Sequence, residues 1–341
     1  MSERITESRS ERIPFGGLFY RTCVYGWKRI AGESRKLLVK TLLASQGSGG
    51  LFRDPSGKED LYYTFFGLLL ATVADVKIRL TDCEKRVNEI DFSTLNPVLG
   101  CVWLRIRELI RISKIPFELR NVVSGIRARW RNTVTRRNED ARLRGWLDSL
   151  RTRPASEFPR QELDSPRIRF HLNSLYEDSG LAPPETDLTE YRLPSGLYTN
   201  SRRSPSYEVS ATAAAIFLIH GAERLAVAKL LRELQDPDGS FRATESAPCG
   251  DLHSTSTALL ALRVCGLSPK NSVRDFLRHC FHADGFFAAF PEDSTSNLEH
   301  TVYGLLAMGA ISPTARQYHP RRNALRCPPE GQRGTLHRGG R

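Results

Sequence analysis

The sequence predicts an all-α protein, an α/α toroid in which inner and outer helices alternate around a ring. Three observations predict it. A four-part plan recurs along the chain with a period of about 45 residues, and a fixed period in this range marks a repeat architecture. Helix formers such as Leu, Ala, Arg and Glu are common, while long Val/Ile/Thr alternation is scarce. The apolar segments also come in two kinds. "STSTALLALRVCG" is apolar around much of its circumference, which suits a buried inner helix; "SVRDFLRHCF" is amphipathic, which suits an outer one.

The recurring segments are residues 45–71, 193–219, 234–262 and 281–308. Each opens on a turn containing glycine (Gly50, Gly196, Gly239, Gly285), where the positive φ of a tight turn is cheap. An aromatic follows two residues later (Phe52, Tyr198, Phe241, Phe287) and is expected to pin the loop onto the core. A polar loop then leads to a threonine that opens an apolar helix: Thr64, Thr212, Thr255 and Thr301. Four residues before each threonine stand Asp60, Glu208, Asp251 and Asn297, in the place of a helix N-cap. The stretch between Gly50 and Gly196 has room for two further, degenerate repeats. Within it, "DFSTLNPVLGCVWLRIRELIRI" reads as a helix with Pro97 near its start, and residues 124–153 read as a basic helix or helix pair. Residues 151–165 and 180–195 carry Pro and polar residues and read as loops.

These readings divide the chain into a polar N-terminal segment (1–35), the toroid (36–312) and a basic tail (313–341). The tail is rich in Arg, Pro and Gly, lacks apolar periodicity and is expected to be disordered. The formal charge is +12, concentrated in residues 104–160 and the tail. No nucleic-acid motif accompanies it, so it reads as a solvated surface, with no nucleic-acid partner. Seven cysteines, an odd number without CxxC spacing, point to free thiols in a reducing, cytoplasmic setting. The N-terminus has no apolar signal core, and the most apolar stretch, "LYYTFFGLLLATVA", is too short for a transmembrane segment. GxGxxG, GxxxxGK[ST], GxSxG and HExxH motifs do not occur.

The Gly–aromatic turns, the loops and the "HTVYGLLAMG" helix resemble the β subunits of protein prenyltransferases, most nearly the Rab geranylgeranyltransferase type, within the wider prenyltransferase/squalene-cyclase repeat superfamily. The resemblance is good over 193–310 and recognisable over 45–71. It implies transfer of an isoprenoid from a prenyl diphosphate to a thiol acceptor, a zinc ion, and an α-type helical partner subunit. The family's zinc Asp and Cys fall on Asp251 and His253, and its zinc His falls on His300, in consecutive repeats and in the family's order. Carboxylate and imidazole are both zinc donors, and three protein ligands leave a position for a substrate thiolate. Asp251 is equally well suited to capping the helix it precedes.

The same resemblance identifies departures. The family's diphosphate-binding His, Arg, Lys and Tyr fall on Glu208, Glu245, Pro248 and Ser254. A diphosphate needs cationic partners, and Arg202, Arg203 and Arg242 in nearby loops are the substitutes the sequence offers, with Tyr303 as a further substrate contact. Phe65, Phe66, Phe217 and Tyr303 are expected to line an isoprenoid cavity. Two alternatives stand beside the transferase. One is a non-catalytic toroid that binds a lipid or a protein, favoured by the lost cationic cluster. The other is a terpene-cyclase-like enzyme, disfavoured by the missing DxDD acid motif.

Overall fold

A computed structural model of the protein describes residues 15–116, 145, 164–178 and 183–312. The expected basic helix pair at 124–153, most of the loop at 151–165, and the tail lie outside them. Among the described residues are eleven α-helices and two short hairpins. The helices are α1 (Phe15–Trp27), α2 (Gly32–Ala44), α3 (Leu61–Ala74), α4 (Leu80–Asn88), α5 (Pro97–Ser113), α6 (Pro166–Asp178), α7 (Val209–Leu218), α8 (Gly221–Glu233), α9 (Leu252–Val264), α10 (Arg274–His279) and α11 (Leu298–Ala310). The hairpins pair β1 (Phe52–Arg53) with β2 (Glu59–Asp60) and β3 (Phe287–Ala288) with β4 (Ser296–Asn297), both antiparallel.

The predicted α/α toroid is the fold. Six helices pack side by side in the order α3, α5, α6, α7, α9, α11, and α11 returns to α3. Outside this inner ring, α2 packs on α3, α4 on α5, and α8 on α7 and α9. The inner helices α3, α7, α9 and α11 are buried around most of their circumference, as their apolar sequences require.

Each unit is built on one hydrogen-bond pattern. The backbone N–H of the loop aromatic donates to the threonine hydroxyl of the inner helix: Phe52 to Thr64 Oγ1 (2.9 Å), Tyr198 to Thr212 (3.0 Å), Phe241 to Thr255 (2.9 Å) and Phe287 to Thr301 (3.0 Å). All four threonines are completely buried, and so in effect are the four aromatic rings. A buried amide left unpaired is expensive, so a hydroxyl at this position is a structural requirement. The turn before each aromatic carries its glycine at φ between 83° and 94°.

The turns also join one unit to the next. A Cβ at Gly239 would lie 2.2 Å from the Ser272 carbonyl, just before α10; one at Gly50 would lie 2.6 Å from the Cys83 nitrogen, on α4. Gln46 and Gln235, equivalent and buried, make the same connection with hydrogen bonds. Gln46 Nε2 donates to the Gly50 carbonyl (2.8 Å) while its Oε1 accepts the Arg79 N–H (3.0 Å). Gln235 Nε2 donates to the Gly239 carbonyl (2.7 Å) while its Oε1 accepts the Lys270 and Asn271 amides (2.6 and 2.9 Å). The last unit closes on the first. A Cβ at Gly285 would lie 2.4 Å from the Leu38 nitrogen on α2, and Thr41 Oγ1 donates to the Asp284 carbonyl (2.6 Å).

The N-terminal boundary differs from expectation. Residues 15–27 fall in what reads as a polar segment, yet they form α1, which packs on α11, α3 and α6. Its crossing with α11 is very close: a Cβ at Gly26 would lie 1.9 Å from the Leu305 carbonyl, and one at Gly309 would lie 1.8 Å from the Thr22 carbonyl. Phe15 meets Phe170 of α6 and Phe217 of α7 at ring-centroid distances of 4.5 and 5.4 Å. These contacts lie in the C-terminal half of α11 and at the C-terminus of α7, so α1 lies across the C-terminal end of the inner ring. The polar start of the chain hides this short run, in which Phe, Tyr, Cys and Val share a stripe with glycines that permit close approach.

Replacing Thr255 with Val retains shape and removes the acceptor for the Phe241 amide. The expected loss is about 1–3 kcal/mol of unfolding free energy, the cost of an unsatisfied buried donor. Denaturant titration measures it. A loss near zero would show that the hydroxyl is dispensable.

Candidate functional site

The first turns of α3, α9 and α11 open on capped helix starts. Asp60 accepts the Tyr63 N–H (2.8 Å), Asp251 the Ser254 N–H (2.8 Å) and Asn297 the His300 N–H (2.9 Å). Asp251 is therefore a helix N-cap in register with its counterparts. Glu208, at the equivalent point of α7, instead gives its carboxylate to the Asn200 N–H, the Asn200 side chain and the Thr199 hydroxyl.

Side chains from these turns meet at the mouth of the ring. Tyr62 OH donates to Glu299 Oε1 (2.7 Å), joining α3 to α11. The His253 ring stands edge-on to Tyr303 at 4.8 Å, and Phe66 lies between Tyr62 (5.0 Å) and Tyr303 (6.0 Å). At the other end, Phe15, Phe170 and Phe217 form an aromatic floor. Tyr62, His171, Phe217, His253 and Tyr303 are half-buried, and burial is the largest influence on each of the four titratable ones.

Enclosure sets their charge state. Burial pushes His253 down to about 4, with Arg167 and His300 acting in the same sense and Asp251 opposing. Burial pushes His171 down to about 3, aided by Arg105, Arg167 and His253. His300 is also lowered by burial, against the pull of Glu299, Asp293 and Asp251. All three imidazoles are neutral at pH 7, the form that ligates metals and can either donate or accept a hydrogen bond. Burial raises both Tyr303 and Tyr62.

The structure places the sequence candidates as follows. Asp251, His253 and His300 lie within electrostatic reach of one another. Asp251 uses Oδ1 for its cap. The Asn297 side chain contacts His300 Nδ1 at 3.1 Å, and His253 has no ring hydrogen bond among the described residues. The donor set suits zinc, but among the described residues no three His, Cys, Asp or Glu side chains are already assembled as a metal-holding group. Tyr303 stands against His253 and Phe66. Arg202 pairs with Glu190 (2.8 Å) and donates to Tyr191 OH (3.3 Å). Arg242 pairs with Asp236 (2.9 Å), and Arg203 is exposed in the loop. On α6, Arg167 is exposed and His171 half-buried; no motif announces either, and their only signal is the i, i+4 spacing in "PRIRFHLNSLYED".

The family model of the prenyltransferase alpha-alpha toroid domain matches residues 34–100, 186–297 and 269–324, together more than half of the chain. The chain belongs to this family. No curated protein and no solved structure gives a significant match. The family match covers the units that carry the threonine–aromatic pattern and begins after α1. As in the sequence expectation, no helix among the described residues of this toroid is long and apolar enough to cross a membrane.

The neutral histidines make stability sensitive to acid. Their folded pKa values lie below the value of about 6.5 of an exposed histidine, so below that pH the unfolded chain binds more protons. Their contribution is complete above pH 6.5 and is lost as pH falls toward 4. His171→Asn should therefore lose less stability than the wild type between pH 7 and pH 5 in urea titrations. Equal losses would show that His171 protonates freely in the folded state.

Proposed function

We propose that this toroid is a prenyltransferase of the β-subunit type, similar to the Rab geranylgeranyl enzymes, which moves an isoprenoid from a prenyl diphosphate to a thiol acceptor. The observation that carries the reading is the pairing of two neutral imidazoles, His253 and His300, at the starts of consecutive inner helices, with the Asp251 carboxylate acting on both. Asp251, His253 and His300 would hold zinc, which supplies a Lewis acid able to keep an acceptor thiol in its thiolate form. The capping bonds of Asp251 and Asn297 fix the helix starts from which these ligands project. Tyr62, Phe66, Tyr303 and the Phe15–Phe170–Phe217 floor offer an apolar wall for the isoprenoid and exclude water from it. An α-type helical partner belongs to the same reading.

A second reading is a toroid that binds a lipid or protein without catalysis. The ion pairs Arg202–Glu190 and Arg242–Asp236 favour it, because they take up two of the cations expected to grip a diphosphate.

Metal analysis of the purified protein tests the first reading. About one zinc per chain is expected, and Asp251→Ala combined with His300→Ala should abolish it while the far-ultraviolet circular dichroism stays helical. A wild-type protein without zinc would overturn the metal site, and zinc retained by the double variant would overturn the ligand assignment.

A further inference from the structure

The side of α1 turned away from the ring carries Arg21, Val24, Tyr25 and, one residue past the helix, Lys28, spaced i, i+3, i+4 and i+7. These four residues line a cavity of about 190 Å³. Val24 is buried, Arg21 and Tyr25 are half-buried, and Lys28 is exposed. A third cation stands beside the cavity. The Arg263 guanidinium of α9 lies 5.9 Å from the centre of the Tyr25 ring and is fixed there by donating to the Gly309 carbonyl (2.8 Å).

The outer helix α2 continues this face. Arg35 joins the two helices: its guanidinium lies 5.4 Å from the centre of the Trp27 ring and donates to the Lys28 carbonyl (2.8 Å). Glu33, Lys36, Leu37, Lys40, Leu43 and Ala44 form one exposed strip along α2. Leu37 and Leu43 are each 44% exposed, with Lys36 and Lys40 between them on the helix surface. Residues 15–44 hold six cations and a single acid, Glu33, which is spent on Lys36 (2.8 Å). Lys28, Arg29 and Lys40 are exposed and have no ion-pair partner among the described residues.

The chain has no acidic segment to cover such a face. Outside the described residues, 1–14 carries three Arg and three Glu, 117–163 carries eleven Arg and six acids, and 313–341 carries seven Arg and one Glu. The last of these segments follows directly on α11, whose Gly309 crosses α1 at Thr22, so further positive charge begins beside the same face. The complementary partner is therefore an extended anionic surface. A nucleic-acid backbone would meet the cations and leave the two leucines without a partner. A bilayer surface meets both, with headgroup phosphates at the cations and small apolar groups at the boundary beneath them. A tyrosine, with its apolar ring and polar tip, suits the same boundary.

We propose that the α1–α2 face docks on an anionic lipid bilayer, with a headgroup phosphate in the cavity between Arg21 and Lys28 and with Leu37 and Leu43 entering the interface. Because α1 lies at the opposite end of the ring from the mouth, docking leaves the mouth accessible.

Co-sedimentation of the full chain with vesicles tests this, using phosphatidylcholine alone and phosphatidylcholine mixed with phosphatidylserine, with a short DNA duplex assayed alongside. Thermal unfolding verifies that each variant is folded. The wild type should bind the mixed vesicles and not the neutral ones, and added salt should release it. Lys28→Glu with Arg29→Glu, and separately Lys36→Glu with Lys40→Glu, should each weaken binding roughly tenfold or more, as expected when two cations near an anionic leaflet are reversed. Leu37→Ser with Leu43→Ser should weaken it at unchanged charge. Arg203→Glu with Lys229→Glu, exposed cations on other elements, should behave nearly as wild type. The proposal is overturned if neither vesicle is bound, if both are bound equally, or if the two α1–α2 charge variants bind as tightly as the control variant. Binding to the duplex without binding to vesicles also overturns it and makes this a nucleic-acid surface. A leucine variant that binds like wild type overturns the insertion of the leucines.

Discussion

Everything else in this ring depends on a hydrogen bond from a loop amide to a threonine hydroxyl. The amide belongs to an aromatic residue whose ring is sunk in the core, so water cannot reach it and the donor must be paired within the protein. The threonine sits one turn into the inner helix, so the bond ties the Gly turn to the helix at a fixed distance. The residue four places earlier is thereby brought to the helix start, where Asp60, Asp251 and Asn297 cap it. One interaction, repeated four times, sets both the packing of the ring and the positions of the side chains around its mouth.

The ring then closes by using the same turns twice. Their glycines, at positive φ, press on the outer helix of the following unit, and Gly285 presses on α2 of the first. Because each unit contacts only its neighbours, closure is what converts a chain of repeats into a cavity. The Tyr62–Glu299 hydrogen bond lies at that seam, spanning 237 positions of sequence. The first and last repeats therefore meet where the candidate chemistry is, and α1 covers the opposite end.

The repeat plan was legible because its determinants are local: a glycine, an aromatic two residues on, and a threonine 12 or 14 residues after the aromatic. Inner and outer helices were legible from how far apolar residues extend around them. The role of α1 was not, since its burial depends on Gly26 meeting Leu305 and Gly309 meeting Thr22 across the chain. Asp251 and His300 were visible as repeat positions, because the capping residue and the helix-opening threonine fix their register. The loop arginines show the converse. Arg202 and Arg242 are near the right repeats in sequence, but Glu190 and Asp236, invisible as partners beforehand, take up their charge.

The central claim is that the capped mouth of the inner ring is where this protein meets its ligand. Amide hydrogen exchange with and without geranylgeranyl diphosphate tests it most directly. Slower exchange in the first turns of α3, α9 and α11 is the result this account predicts. Protection confined to the outer helices or to the loop at residues 200–206, or no protection anywhere, would contradict it.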